Sequence, residues 1–314
     1  MIRMSLILIV LLLNSTSAFS SKIEDVSAKK IAPHTYVIHG PLGYPDEKNQ
    51  GFMNNPGFVI TQTGVVVIDP GSSLYVGEMV LRQIRKITDK PVTHILNTHI
   101  HGDHWLGNDA FKKAFPSAKF IGHPDMISRA NNGAAEQWLD IMDRSTKGAT
   151  KGTKAVIPET AMNDTAQLKT GGMTFNILAP SKAHSGTDIM ILVVEESVMF
   201  LGDNVLNERI ARMDDATFRG SINACDVAIK AAAKIYVPGH GLSSDINMVE
   251  KYKNYIAIVY QQAAKYYEQG LSDFEMKPNV VAKLSAYSKW SGFETEVGKH
   301  ISLAALEVEA AEFE

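Results

Sequence analysis

The segment NTHIHGDHWLGN, residues 97–108, places three histidines and one aspartate within six positions: His99, His101, Asp103 and His104. Imidazole nitrogens and a carboxylate are the donors that suit zinc, and less exclusively iron or manganese. On an extended chain, residues two apart project to one side, so His99 and His101 can reach one ion. A turn at Gly102 would send Asp103 and His104 toward a neighbouring ion. Four donors from one loop do not complete two sites, so more must come from elsewhere. Three candidates stand at strand ends next to Gly or Pro, where loops carry function: His184 in APSKAHSGTD, Asp203 in MFLGDN and His240 in YVPGHG. His34, His39, His94, His123 and His300 read as structural or solvated, with His123 in FIGHPD the most tempting of them because it ends a strand.

Those donors need elements to position them. HTYVIHG (34–40) alternates like a strand, and GFVITQTGVVVIDPG (57–71) reads as a hairpin around TQTG. Residues 73–90 show helical spacing and stop before Pro91. Then VTHILNT (92–98) reads as a strand, 108–115 as a short helix, 118–123 as a strand and 124–144 as mostly helical. STKGATKGT (145–153) is polar and Gly-rich and reads as a loop. Hairpins return at 167–180, with Gly171 and Gly172 in the turn, and at 188–203. A helix around INACDVAIKAAAK and a strand at IYVPGHG (235–241) follow. This order suggests two mixed β/α halves whose sheets pack together with helices outside. Residues 245–270 and 294–314 carry apolar stripes at helical spacing, a two-helix tail.

Residues 1–20 open with Arg3, run apolar from Leu6 to Leu13, and then turn to small residues. That is the three-part pattern of a cleaved export signal. The apolar run is too short for a membrane span, which needs about 20 residues. The expectation is a periplasmic or secreted mature protein without a membrane span. One cysteine, Cys225, permits no internal disulfide, and its helical setting suggests a buried, inert thiol. A net charge of −3 without long single-sign runs argues against a nucleic-acid partner and leaves a small-molecule substrate.

The order HxHxDH, then His184, then Gly-Asp203, then Pro-Gly-His240-Gly resembles the metallo-β-lactamase superfamily, and VVVIDPG (65–71) ahead of the first motif fits it too. The resemblance covers roughly residues 34–241. It implies an α/β fold, an αββα sandwich of two mixed sheets with outer helices and metals at one sheet edge. It divides the chain into a signal (1–20), a catalytic domain (21–244) and a C-terminal helical extension (245–314). By position it implies that His99, His101 and His184 hold one metal, that Asp103, His104 and His240 hold a second, and that Asp203 bridges them. Two zinc ions per chain are expected, with iron or manganese as the other metals the donors suit. Asp69 would steady the loop or a ligand imidazole. A cation pair of this kind makes hydroxide available near neutral pH to attack a thioester, ester, lactone or lactam carbonyl, and Asp103 would orient it or move its proton.

Asp203 stands where one secreted β-lactamase subclass carries cysteine, and another subclass lacks the bridging aspartate, so a glyoxalase II-like ligand set is the closer likeness. The rival readings are a β-lactamase proper, a persulfide-dioxygenase-like enzyme with one iron, and a non-catalytic periplasmic metal-binding protein. Arg209, Arg212 and Arg219 follow Asp203 and either form solvated surface or line the mouth and attract an anionic substrate. Phe52 and Met53, in the stretch 40–57, are candidate substrate contacts, and Trp105 is expected to pack beneath the site.

Overall fold

A computed structural model describes residues 23–313. The expected export signal at 1–20 lies outside them. Two mixed sheets face each other, with helices on both outer surfaces. The first sheet has the strands in chain order: β1 (Lys29–Lys30), β2 (Thr35–Val37), β3 (Gly57–Ile60), β4 (Val65–Ile68), β5 (Val92–Leu96), β6 (Lys119–Gly122) and β7 (Thr160–Ala161). It is antiparallel from β1 to β4 and parallel from β4 to β7. The second runs β12 (Ile235–Val237), β11 (Val198–Phe200), β10 (Met190–Val193), β9 (Met173–Leu178), β8 (Gln167–Thr170), with only the β11–β12 pair parallel.

Between the sheets lies a dry layer that includes Val59, Val66, Ile68 and Leu96 from one side and Phe175, Ile191, Val198 and Phe200 from the other. β4 is buried on both faces, which explains its continuous VVVI run instead of an alternating one. Outside the first sheet, α1 (Leu74–Ile87) and α3 (Asn108–Ala114) cover Phe58, Val65, Val67 and Phe120. Helix α1 starts because Ser73 Oγ accepts from Val76 N, and it buries the stripe Val76, Met79, Val80 and Ile84. Outside the second sheet lie α6 (Phe218–Lys230) and the C-terminal helices α7 (Ile246–Tyr267) and α9 (Phe293–Ala311).

The tail departs from expectation. A third helix, α8 (Asp273–Lys283), stands between α7 and α9. It buries only Met276 and Val280 and carries Pro278 inside, so its apolar stripe is too sparse to read. Its start is nonetheless explicit, since Ser272 and Glu275 form a reciprocal capping box. Residues 145–153 form the expected loop, a run of successive turns in which Thr146 and Thr150 are buried and hydrogen-bonded to each other. The expected 124–144 helix is interrupted at Asn132 and Gly133, between α4 (Pro124–Arg129) and α5 (Ala135–Ser145). Among the described residues, no helix is long and apolar enough to cross a membrane.

Candidate metal centre

The seven expected donors converge at one edge of the sandwich, each delivered by the end of a strand. After β5 the chain leaves the sheet at Asn97, and Ile100 N donates to Thr187 Oγ1 (3.1 Å) while Trp105 Nε1 donates back to Ile100 O (2.7 Å). Trp105 is thereby packed beneath the loop, fully buried. Asp103 and His104 fall in a one-turn helix, α2 (Gly102–Trp105), which keeps the His104 ring beside that of His99, 4.3 Å between centroids. His184 sits in the turn between β9 and β10, where Asp188 accepts from both Ser185 N (2.6 Å) and Ser185 Oγ (2.9 Å). Burial pushes the Asp188 carboxyl up to about 6 against those bonds. Asp203 follows β11, behind Gly202 at φ +53, a left-handed turn that glycine takes without strain. His240 follows β12. Gly239, just before it, must be glycine, because a Cβ there would collide with Asp203 Oδ1.

Two groups of donor atoms result. His99, His101, His184 and Asp203 each offer an atom within 4.8 Å of the others, and Asp103, His104 and His240 do the same. Asp203 reaches the second group as well: Oδ1 lies 3.2 Å from His104 Nε2, and Oδ2 lies 3.3 Å from His240 Nε2.

The imidazole orientations follow from what the outer nitrogens touch. His104 Nδ1 lies 2.8 Å from Asp69 Oδ2, and a carboxylate can only accept, so Nδ1 carries the proton. His240 Nδ1 is fixed in the same way by Met53 O at 2.7 Å. Thr98 Oγ1 donates to Asp69 Oδ2 (2.6 Å), which leaves it to accept from His99 Nδ1 (3.0 Å). Asp69 therefore sets one imidazole in each group. It also accepts from Thr98 N (2.8 Å), and its backbone is left-handed at φ +50, which aspartate tolerates. His101 differs: Nε2 meets Asp215 Oδ2 (3.2 Å) and Nδ1 turns inward to within 2.9 Å of His184 Nε2.

These donors fit a pair of cations. The inner nitrogens His99 Nε2 and His104 Nε2, together with Asp203 Oδ1, are buried and without a hydrogen-bond partner. Buried polar atoms are ordinarily satisfied, so three facing one another mark a place for a ligand of positive charge. The donors are also tightly coupled through their charges. Burial, with His104 and His101 adding to it, drives His99 well below the usual imidazole range. Burial alone would lower His104 and raise Asp203; instead the two carboxylates and Asp69 hold His104 high, while His240 and His104 hold Asp203 well down. In Asp103, burial is likewise outweighed by His104 and His240, which keep it ionised.

The cluster floors a cleft walled by Met53, Trp138, Ile141, Met142 and Leu206, with Tyr44, Arg209, Arg212, Asp214 and Asp215 around it. Arg209 is only 7% exposed. Its Nη1 lies 3.1 Å from His240 Nδ1, whose proton already points at Met53 O, and its guanidinium faces the Tyr44 ring at 5.7 Å. Among the described residues it has no carboxylate partner. Arg212 is at the rim and pairs with Asp214 (3.2 Å). Two expectations need correction. Phe52 turns away from the cleft into the apolar layer under α1, beside Phe58 and Val76. Arg219 is tied to Glu307 (3.5 Å) and does not line the cleft. His123, left as structural, caps α4.

Asp215, Trp138 and Tyr44 escaped the sequence reading. Asp215 meets His101 from 114 residues away, in a segment of no regular pattern, so spacing carried no signal for it.

The family model described as Metallo-beta-lactamase superfamily matches residues 50–240. A probable metallo-hydrolase of Streptococcus pyogenes serotype M6 is 27% identical over 201 residues, which are 61% of this chain and 81% of the relative. Among solved structures, a metallo-beta-lactamase from Pontibacter korlensis superposes with a TM-score of 0.60 at 17% identity, over 74% of this chain and 98% of its own. The sec-alkylsulfatase Pisa1 from Pseudomonas sp. superposes with a TM-score of 0.69 at 13% identity, over 90% of this chain and 50% of its own.

Proposed function

The chain belongs to the metallo-β-lactamase superfamily and is a metal-dependent hydrolase, and on that premise we propose that it holds two zinc ions and cleaves a thioester, ester, lactone or lactam bond whose acyl part carries an anionic group. The observation that carries this is Asp203, which stands between two donor groups and whose Oδ1, with His99 Nε2 of one group and His104 Nε2 of the other, is buried and unpaired. His99, His101 and His184 would hold one ion, Asp103, His104 and His240 the other, with Asp203 shared. Bound there, the pair supplies a water of lowered pKa and polarisation of the substrate oxygen.

The chain's own residues do the rest. Asp103, ionised and facing the cleft, would turn Oδ2 to the ion beside His240 Nε2 (3.3 Å) and orient the attacking water with its other oxygen. Asp69 and Asp215 keep His104, His99 and His101 in their required tautomers. Met53, Ile141, Met142 and Leu206 shed water from the acyl chain, and the unpaired Arg209 guanidinium meets its anionic group. Because Arg209 sits behind His240, beside the donor cluster and not within it, the charge it meets lies some bonds away from the reacting carbonyl.

The test is metal analysis of the purified protein together with a hydrolysis panel of thioesters, aryl esters, lactones and lactams. 2-Octyl sulfate joins the panel on account of the sec-alkylsulfatase likeness. Two zinc ions per chain and carbonyl hydrolysis abolished by Asp103→Ala are expected. One iron per chain with oxygen uptake, or metal-loaded protein inert on every substrate, would overturn the reading. Export and a periplasmic location are part of the same proposal, checked by the mass of the protein recovered from the periplasm against that of the full chain.

A further inference from the structure

The segment from Asn207 to Thr217 touches the donor cluster at both ends, with Arg209 beside His240 and Asp215 beside His101. It belongs to no helix or strand. The catalytic domain holds its two ends, with Asn207 N donating to His240 O (3.0 Å) and Thr217 N to Ala183 O (2.9 Å), and the C-terminal extension holds the stretch between them. Ile210 N donates to Ser291 O (2.9 Å) and Ser291 N donates to Glu208 O (2.9 Å), a two-bond bridge that brackets Arg209. One residue on, Ala211 O lies 2.8 Å from Nε2 of His300, a fully buried imidazole on α9. A carbonyl only accepts, so Nε2 carries the proton and Nδ1 accepts from Tyr255 Oη of α7 (2.9 Å). Lys299 pairs with Asp214, and the Glu307 carboxylate accepts from Phe218 N (2.6 Å) and Arg219 N (3.0 Å) just beyond the segment. Even Tyr44, whose ring covers the guanidinium, is bonded to Thr295 (3.1 Å) and Glu296 (3.2 Å).

We propose that the C-terminal extension is part of the substrate-recognition apparatus: His300, acting through Ala211, is a positioning residue that holds Arg209 where the anionic group of the substrate meets it. This rests on the function proposed above. Apolar packing of α7 and α9 on α6 would by itself stabilise the fold without favouring one substrate over another. A polar clamp on the backbone two residues from Arg209 affects selectivity, and that difference is measurable.

The experiment compares the metal-loaded full chain with His300→Phe, which keeps a buried ring but loses both hydrogen bonds, His300→Gln, which keeps an N–H for Ala211 O, and Tyr255→Phe, which removes the bond that holds the ring. Two esters of equal chain length are the substrates, 4-nitrophenyl hydrogen glutarate (anionic) and 4-nitrophenyl pentanoate (neutral). His300→Phe should raise KM for the anionic ester about tenfold, the scale of one buried hydrogen bond, and leave its kcat and the neutral ester's KM within about twofold. His300→Gln should recover most of the loss, and Tyr255→Phe should fall between. Amide hydrogen exchange in residues 207–217 should quicken about tenfold in His300→Phe while α1 is unchanged. Equal effects on both esters, no recovery by glutamine, or unaltered exchange in the segment would overturn the proposal. Where the wild type turns over neither ester, calorimetric binding of pentanoate against pentanamide replaces the kinetics. Loss of the pentanoate preference in His300→Phe then upholds the clamp while hydrolysis fails, and an unchanged preference sinks the clamp. Should the phenylalanine variant not fold, glutamine and Tyr255→Phe carry the same comparison.

Discussion

Replacing Asp69 by Asn tests the site without touching a donor atom. Asparagine fits the left-handed backbone at φ +50 and preserves the volume of a buried side chain. Its Oδ1 must stay with Thr98 N, which only donates, so its Nδ2 replaces the oxygen that now faces Thr98 Oγ1 (2.6 Å) and His104 Nδ1 (2.8 Å). An amide nitrogen there donates where the carboxylate accepted. His104 must then accept at Nδ1, which moves its proton to Nε2, the nitrogen that faces the cluster. Thr98 Oγ1, now accepting from the amide, turns its own proton to His99 Nδ1 and imposes the same exchange. Each group of donors thus loses one lone pair. Partners of this kind are worth about 10- to 100-fold in metal affinity, or about 1.4 to 2.7 kcal/mol for each ion. Zinc titration against a chromophoric chelator should show both ions weakened by that amount, with the circular dichroism spectrum unchanged. Thr98→Val should weaken only the ion that His99 serves. Wild-type affinity for both ions in Asp69→Asn would refute the tautomer argument.

Other expectations follow from the same structure. Arg209→Met should lower kcat/KM for 4-nitrophenyl hydrogen glutarate about 10- to 100-fold and spare the neutral pentanoate ester, since hydrogen bonds to charged groups are worth about that much. Cys225, buried and with its thiol pushed up to about 12, should react with a thiol reagent only after denaturant is added, as followed by release of the coloured leaving group. Burial lowers His300 from 6.5 to about 4, so the folded state binds fewer protons than the unfolded chain between those values. Its contribution is complete above pH 6.5 and is lost as pH falls toward 4, a total of about 3 kcal/mol. Urea midpoints measured at pH 7 and pH 5 should therefore separate further in the wild type than in His300→Gln, and parallel shifts would refute this.

The layered fold was legible because its strands are short β-branched runs with glycine punctuation, and because α1 and α6 have clean stripes. The two-helix reading of the tail failed at α8, where two buried side chains and an internal proline leave no periodicity to see. Within the site, spacing was informative only where donors cluster in sequence or end a strand beside glycine. His99 to His104, His184, Asp203 and His240 were found in that way. Asp215 and Tyr44 approach from irregular segments and act through single contacts, which no periodicity encodes. Phe52 and Met53 show the limit from the other side: adjacent residues on one extended stretch face opposite ways, so Met53 reaches the cleft and Phe52 the core.

The bridge between Ser291 and the Arg209 segment has a consequence for anyone shortening this gene. The stretch matched by the family model stops at 240, and an expression clone cut there would look complete on every donor atom. It would nevertheless leave Ala211 O, Ile210 N and Glu208 O with no counterpart, and strip the outer cover from α6. Such a product could bind its ions and still have lost the means to choose what it cuts.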